Sequence, residues 1–565
     1  MESPSPSLST HRAAVSRPSS TYARKRAVKA CQVCRARRTK CDQKRPVCSF
    51  CAKAGVECVF EPDEKATFDQ ASLAIIDRLD RLERKIDAQS TVDGGRNVNP
   101  NTLGSLKIDR IHEQVFPVTL GRVLEWQVFQ DIASPTTTTS SPFTEGLISQ
   151  SVNQQRPWLG DVLDRPACDR WLDNFFAHVH VKNPILDEAE IRRLVCKLCA
   201  YGPEWDIASG LALLVCANGV LARPLHESLP VSNPDRQIAI ALFNAALKRT
   251  GIGLNSVGLI QAQCAFLSGV LLMSLLRPTE AWMTFVQGLA ICQTFPSIRR
   301  LHSGSDQVNS AETVSEQSIY WSCWKSEQEL RFELGMHSSG GLADEPPQLF
   351  PNPPEGCEGS TERAWYFYLS EISLWRLEVN ARQAMDKLEH NDWPGLSQAL
   401  GEIKQGTINQ LEAWKSSLPP LVDIGSNKVP EEDDVVRFVL RGRVTYVHEL
   451  ISWPFLFAAM NDGLDHPVPD KQIVNALAFH HNRLIANAAG YYHRHHGTWL
   501  MLRSSARSAC ILLGFARLYP NSVVMPPAWE EAIFNVLKMV EYWSAEVEEM
   551  RLISRVMTRL LESLQ

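Results

Sequence analysis

Six cysteines fall within 28 residues, CQVCRARRTKCDQKRPVCSFCAKAGVEC (31–58), of a 565-residue chain that holds only nine more. Their spacing, Cys31-x2-Cys34-x6-Cys41-x6-Cys48-x2-Cys51-x6-Cys58, is C-x2-C-x6-C written twice. The N-terminal stretch MESPSPSLSTHRAAVSRPSS has no apolar core of the kind an export signal needs, so a reducing compartment is expected and disulfides are not. A two-residue gap lets neighbouring thiolates converge on one ion, and zinc takes four ligands in a tetrahedron. One zinc would leave two cysteines over. Two zincs need eight ligand positions, which six sulfurs supply if two of them bridge, one from each half of the repeat. A double zinc site of the RING type would want eight Cys or His ligands, and no ligand-spaced His lies nearby. Iron–sulfur clusters use four cysteines at other spacings.

Charge is distributed as unevenly as sulfur. The chain carries a formal -5, yet between Tyr22 and Phe60 eleven Lys or Arg face only Asp42 and Glu57. A basic island at +9 therefore sits on a remainder at -14, which points to a polyanion partner for the island alone.

The stretch resembles the fungal Zn2Cys6 binuclear-cluster DNA-binding domain, with every cysteine in register and Pro46 in the turn of the joining loop. The resemblance implies two Zn2+ per chain on Cys31, Cys34, Cys41, Cys48, Cys51 and Cys58, with Cys31 and Cys48 bridging. It implies a short helix after the second cysteine, carrying RARRTK into the DNA major groove. Arg35, Arg37, Arg38 and Lys40 are the expected DNA-binding residues. Most members carry Lys at the position of Arg38, where the base-reading contact is made; Arg is a departure that preserves the charge and offers a planar fork instead. Arg24, Lys25, Arg26 and Lys29 extend the basic surface toward the N-terminus and suit further phosphate contacts or nuclear import.

The expected organisation is a polar tail over 1–21, the zinc module over 22–60, a linker over 61–67, a coiled-coil helix over 68–90, a flexible linker over 91–165 and an all-α body over 166–565. In FDQASLAIIDRLDRLERKIDAQ, Ser72, Leu79 and Ile86 take heptad position a, and Phe68, Ile75, Leu82 and Gln89 take d. Arg78 at g then meets Glu83 at e of a second chain. The 91–165 stretch is expected to be linker because VDGGRNVNPN and SPTTTTSSPFTEG are rich in Gly, Pro, Ser and Thr. From Pro166 onward apolar residues recur at three and four spacing and strand alternation is nearly absent. One long final helix is expected through Trp529, Ile533, Val536, Val540, Trp543, Val547, Met550 and Ile553. The longest apolar runs, near 13 residues in 211–223 and 264–276, fall short of the roughly 20 that a membrane span needs.

The body resembles the middle homology region of fungal zinc-cluster regulators, most closely at IYWSCWKSEQELRFELGMHSSGGL. That implies a regulatory domain, with a small-molecule effector or a co-regulator among its partners. Other clusters have plainer readings. Cys196-Lys-Leu-Cys199 reads as buried in a helix. His480, His481, His493, His495 and His496 lack the nearby acids and thiols that would complete a metal site. Phosphate loops and Ser/His/Asp arrangements do not stand out, so no enzyme is expected. VPEEDDVVRF and EYWSAEVEEM are acidic and apolar as activation segments are, but read more simply as a loop and a helix face. The expected function is a nuclear transcription factor of RNA polymerase II genes, binding double-stranded DNA at CGG-type triplets as a homodimer. Regulators of this layout often control a secondary-metabolite gene cluster. The rival reading is a repressor or co-regulator acting through protein contacts of the body.

Dimerisation is expected to depend on Ile75, Leu79, Leu82 and Ile86. Ile75→Asp combined with Leu82→Asp should convert the protein from dimer to monomer in sedimentation on a two-triplet DNA, with zinc content unchanged. A wild-type protein that stays monomeric there would show the helix to be intramolecular.

Overall fold

The computed structural model describes residues 30–60, 119–132 and 163–564, apart from 226, 228–232, 254–255, 304–310, 337–349, 355, 389–392, 426–433, 462–470 and 521–523. The heptad segment 68–90 and the basic residues 24–29 lie outside the described residues. The chain divides into two units, 1–98 and 99–565. Among the described residues there are helices and turns and no strand.

The second unit is a helical body built on two main apolar cores. The first gathers the helices from Arg165–His178 to Ala311–Glu333. Ile207–Leu221, IASGLALLVCANGVL, is apolar on nearly every side, which is why it runs through the centre of this core rather than along its surface. Asp206 caps it by accepting from the Ser209 N–H at 2.7 Å. Gly219 lets the Arg165–His178 helix close in, since a Cβ there would lie 2.1 Å from the Trp171 carbonyl oxygen. Asn218, buried beside it, donates to the carbonyls of Leu214 and Leu267 and so ties two helices with one amide.

The second core centres on Thr498–Leu518 and on Val435–Asn461. It also takes in residues 119–132, inside the stretch whose composition reads as linker. Leu120–Leu124 forms a short helix capped by Thr119, and Leu120, Val123, Trp126 and Phe129 are buried. Trp126 packs on Trp453 at 5.0 Å between ring centroids and Phe129 lies against Gly514, where a Cβ would come within 2.7 Å of the ring. Arg517 closes the strap on Asp131 and on the Val128 carbonyl at 2.7 Å. The apolar spacing of VTLGRVLEWQVF outweighs the Gly, Pro and Thr content on either side.

The expected single C-terminal helix is two, Trp529–Trp543 and Glu548–Glu562. The chain turns at 544–547 because Glu546 is drawn inward. Its carboxylate is buried against Arg494, with Arg236 at 3.5 Å, and the Trp543 indole donates to the Tyr491 carbonyl at 2.7 Å. The apolar rhythm continues through the turn since Val547 and Met550 are buried too. No described helix is long and apolar enough to cross a membrane.

Buried ion pairs join the helices of the second core. Glu449, at 0% exposure, accepts two bonds from Arg483, at 2.6 and 3.0 Å, and one from Arg507 at 3.0 Å. Burial pushes its carboxyl up, but Arg483, His480 and Arg507 hold it at about 2, below the ordinary 4.5. Glu449→Ala removes the carboxylate that Arg483 and Arg507 share, with Arg507 keeping Glu333 at 3.6 Å, and should cost about 3–5 kcal/mol in chemical denaturation followed by helix content. Because the folded pKa lies below the unfolded one, the carboxylate's contribution is fully present above pH 4.5 and is lost as pH falls toward 2. Wild type should therefore lose stability across that window more steeply than Glu449→Gln.

Candidate metal centre

The cysteine repeat folds as the same local structure twice, offset by 17 residues. In the second copy Cys48 is the N-cap of the helix Ser49–Ala54, its sulfur accepting from the Cys51 N–H at 3.4 Å. The helix then ends in a left-handed residue, Gly55 at φ +62°, and the Val56 N–H returns to the Cys51 carbonyl at 3.2 Å. This is the Schellman ending that favours glycine. In the first copy the helix is Gln32–Ala36, the left-handed residue is Arg38 at φ +54°, and the Thr39 N–H returns to the Cys34 carbonyl at 3.0 Å. A short helix that starts after the first cysteine and carries the second, followed by a hard turn, explains why x2 and then x6 recur. Asp42 accepts from the Ser49 N–H at 3.0 Å and from its hydroxyl, satisfying the exposed start of the second helix. The halves are joined where the Gln32 N–H donates to the Val59 carbonyl at 2.9 Å and Arg45 lies over the Phe60 ring at 5.1 Å.

The sulfurs fall into two groups of four: Cys31, Cys34, Cys41 and Cys48, and Cys31, Cys48, Cys51 and Cys58. Within each group all ligand atoms lie within 4.8 Å of one another, and Cys31 and Cys48 belong to both. A tetrahedron of thiolates around zinc has an edge of about 3.8 Å. The Sγ separations of 3.7 Å for Cys31–Cys48 and 3.6 Å for both Cys31–Cys51 and Cys34–Cys48 fit that edge. Among the described residues no other Cys, His, Asp or Glu group gathers this closely.

The two shared sulfurs also differ electrostatically from Cys34 and Cys51. The backbone N–H of Cys34 lowers the Cys31 thiol pKa against the effect of burial, and the N–H of Cys51 does the same for Cys48. Burial pushes Cys34 up to about 12 and Cys51 well above the usual thiol range. A sulfur that shares its charge between two cations gains most from an N–H aimed at it, and in each half the cysteine three residues on, Cys34 or Cys51, supplies one.

The basic residues stand differently from the sequence expectation. RARRTK does not form a helix: its first two residues complete the helix Gln32–Ala36, and Arg37 and Arg38 form the turn that follows. The expected helical turn of four donors is ended by the left-handed conformation at Arg38. Arg37, Arg38 and Lys40 are exposed, and the Arg35 side chain lies outside the described residues. The repeat shows what this costs and where. Positions 35, 37, 38 and 40 correspond to Ala52, Ala54, Gly55 and Glu57 in the second half, so these four positions are basic in one copy and small or acidic in the other, while Lys53 stands where the first copy has Ala36. A left-handed residue with a side chain is disfavoured by roughly 1 kcal/mol relative to glycine. Only the internal comparison of the two halves could have revealed this from sequence.

Among the described residues the remaining clusters do not gather into a metal-binding group. His480 meets the Ser508 hydroxyl at 3.0 Å and His493 the Glu227 carbonyl at 3.2 Å. Cys196 is exposed and Cys199 half-buried, which corrects their reading as buried helix cysteines; the helix Glu188–Tyr201 turns Ile191, Val195 and Leu198 inward instead.

Residues 29–67 match the fungal Zn(2)-Cys(6) binuclear cluster domain. An uncharacterized transcriptional regulatory protein of Schizosaccharomyces pombe is 39% identical over 77 residues, 14% of this chain and 9% of that protein. An ABC-transporter-regulating transcription factor of Aspergillus fumigatus is 33% identical over 95 residues, 16% of this chain and 11% of its own. Transcription factor kojR of Aspergillus oryzae is 20% identical over 405 residues, 68% of this chain and 63% of its own, a likeness that reaches into the helical body. In each case the match spans less than two thirds of the relative's length.

With the domain binding two zinc ions, the full-length protein should carry two per chain by elemental analysis. Cys31→Ala and Cys48→Ala should each remove both metals, whereas Cys58→Ala should retain about one, since its sulfur belongs to one tetrahedron only. Equal loss in all three variants would rule out the shared-sulfur arrangement.

Proposed function

We propose that this chain, which carries a fungal Zn2Cys6 domain, is a nuclear transcription factor that binds double-stranded DNA at CGG-type triplets and acts on RNA polymerase II genes. The observation that carries the reading is the asymmetry of the repeat. Two copies of one fold differ at equivalent positions, with Arg or Lys in one and Ala, Gly or Glu in the other. A solvated surface has no reason to make that distinction, whereas a polyanion approached from one side does.

The six cysteines hold two zinc ions, with Cys31 and Cys48 bridging, and metal binding supplies the folding energy that this small unit lacks. The protein's own part is placement. The turn after Ala36 presents Arg37, Arg38 and Lys40 within four residues, all exposed. Arg38 reads guanine through O6 and N7, and Arg35, Arg37 and Lys40 hold phosphates. A disfavoured backbone conformation kept at one residue, where the sister copy uses glycine, is the signature of a position held for its side chain. The heptad segment 68–90 pairs two chains so that two triplets are read together. The helical body is a regulatory domain, supported by the extent of its likeness to transcription factor kojR, and control of a secondary-metabolite gene cluster is the pathway class proposed.

Binding titrations on matched and mismatched triplets at two salt concentrations test this. Arg38→Ala should flatten discrimination by roughly 1–3 kcal/mol, and Arg38→Lys should keep it. Arg37→Ala should weaken all sequences alike and lower the salt slope by about one. The opposite pattern would move the reading role from Arg38 to Arg37.

A further inference from the structure

The helical body encloses a cavity of about 190 Å³ that nothing in the DNA-binding reading uses. Most charges on its wall are neutralised locally. Lys325 pairs with Glu371, Arg443 with Glu329 at 2.8 Å and Glu371 at 3.6 Å, Arg382 with Glu378 at 2.6 Å, and Arg507 with Glu449 at 3.0 Å. Groups on Lys182, Asn183 and His495 are left over, as are the Trp375 indole N–H and the Arg382 Nε. Lys182, 3% exposed, makes no side-chain hydrogen bond or close ion pair with the described residues, and only Glu371 acts on it from farther off. The Oδ1 of Asn183, next in the chain, is buried with no partner. His495 accepts the Gly497 N–H on Nδ1 at 3.0 Å, which places its own proton on Nε2, and that atom is buried and unpartnered. All three residues line the cavity.

Unused donors on Lys182, His495, Trp375 and Arg382 against the one unused acceptor on Asn183 describe a complement: an anion of low charge that also carries a donor. The other lining favours the same class. Phe332, Phe367, Trp375 and Leu500 offer apolar surface. Glu329, Glu333, Glu371 and Glu378 on the lining disfavour a dianion such as phosphate, and the surrounding arginines disfavour a cation. Burial holds the Lys182 ammonium down to about 7, against the pull of Glu371, so an arriving carboxylate would restore its full charge. A buried cation without a partner lowers stability in a protein that needs only packing there, and a methionine would fill the same volume.

We propose that the cavity binds a small hydroxycarboxylate, with its carboxylate on Lys182 and His495, its hydroxyl donating to Asn183 and its apolar body against Phe367 and Trp375. This site stands on the cavity's own chemistry and goes beyond the DNA-binding role.

The test uses the full-length zinc-loaded protein with 3-phenyllactate as the probe, 3-phenyllactamide as its neutral twin and inorganic phosphate as a competing anion, followed by calorimetry and thermal denaturation. The expected result is saturable binding of phenyllactate that raises Tm, with the amide and phosphate at least about tenfold weaker. Lys182→Met should raise Tm without ligand and weaken phenyllactate by about tenfold or more, and Lys182→Gln should weaken it similarly. Absence of phenyllactate binding, equal binding of the amide or phosphate, or unchanged affinity in either variant overturns the proposal. DNA affinity measured on the same preparations separates such a failure from a failure of the DNA-binding reading.

Discussion

A unit of some thirty residues has too little interior to hold itself by burial of apolar side chains, and the cysteine repeat is such a unit. What is most deeply buried in it is sulfur: Cys31, Cys34, Cys48 and Cys51 are all at 0% exposure. Everything else in the unit follows from the need to bring those atoms within one tetrahedral edge of each other. The two short helices, the left-handed residue that ends each, and the Asp42 bridge to Ser49 set the sulfur positions. They also leave the residues between the second and third cysteines on the outside. Metal coordination and presentation of basic side chains are thus two consequences of one turn.

The helical body solves the opposite problem. It has ample apolar interior and places charge inside it. Glu449 with Arg483 and Arg507 crosses between helices that could have met through leucines, and Arg494 with Glu546 ties together two connecting turns. Such pairs add little net stability over an apolar contact, but they tolerate few alternative packings because each partner is costly when left alone. The Lys182 corner departs from this rule by leaving a charge unanswered.

The zinc ligands were legible in the sequence because spacing alone places x2 pairs on one ion and repetition alone suggests sharing. The helical character of the body was legible from its apolar period. Period says nothing about where an inward-turning carboxylate interrupts a helix, so the break at Glu546 was invisible. Composition misjudged residues 119–132, since Trp126 and Phe129 bury themselves whatever flanks them. Helix propensity favours RARR, but the turn required by the Cys34 to Cys41 geometry overrides it. Lys182 reads in sequence as an ordinary surface lysine. Its burial depends on helices more than a hundred residues away.

The paired geometry of Arg38 and Gly55 bears on how such a protein drifts. Any selection for heat resistance or expression alone sees position 38 as a defect that glycine repairs, because the sister turn already demonstrates the relaxed backbone. On the proposed reading of Arg38 as the base contact, a library sorted on solubility would enrich well-folded, metal-loaded proteins that have lost that contact. Only a screen that scores occupancy of a site, rather than survival of the fold, would keep the arginine.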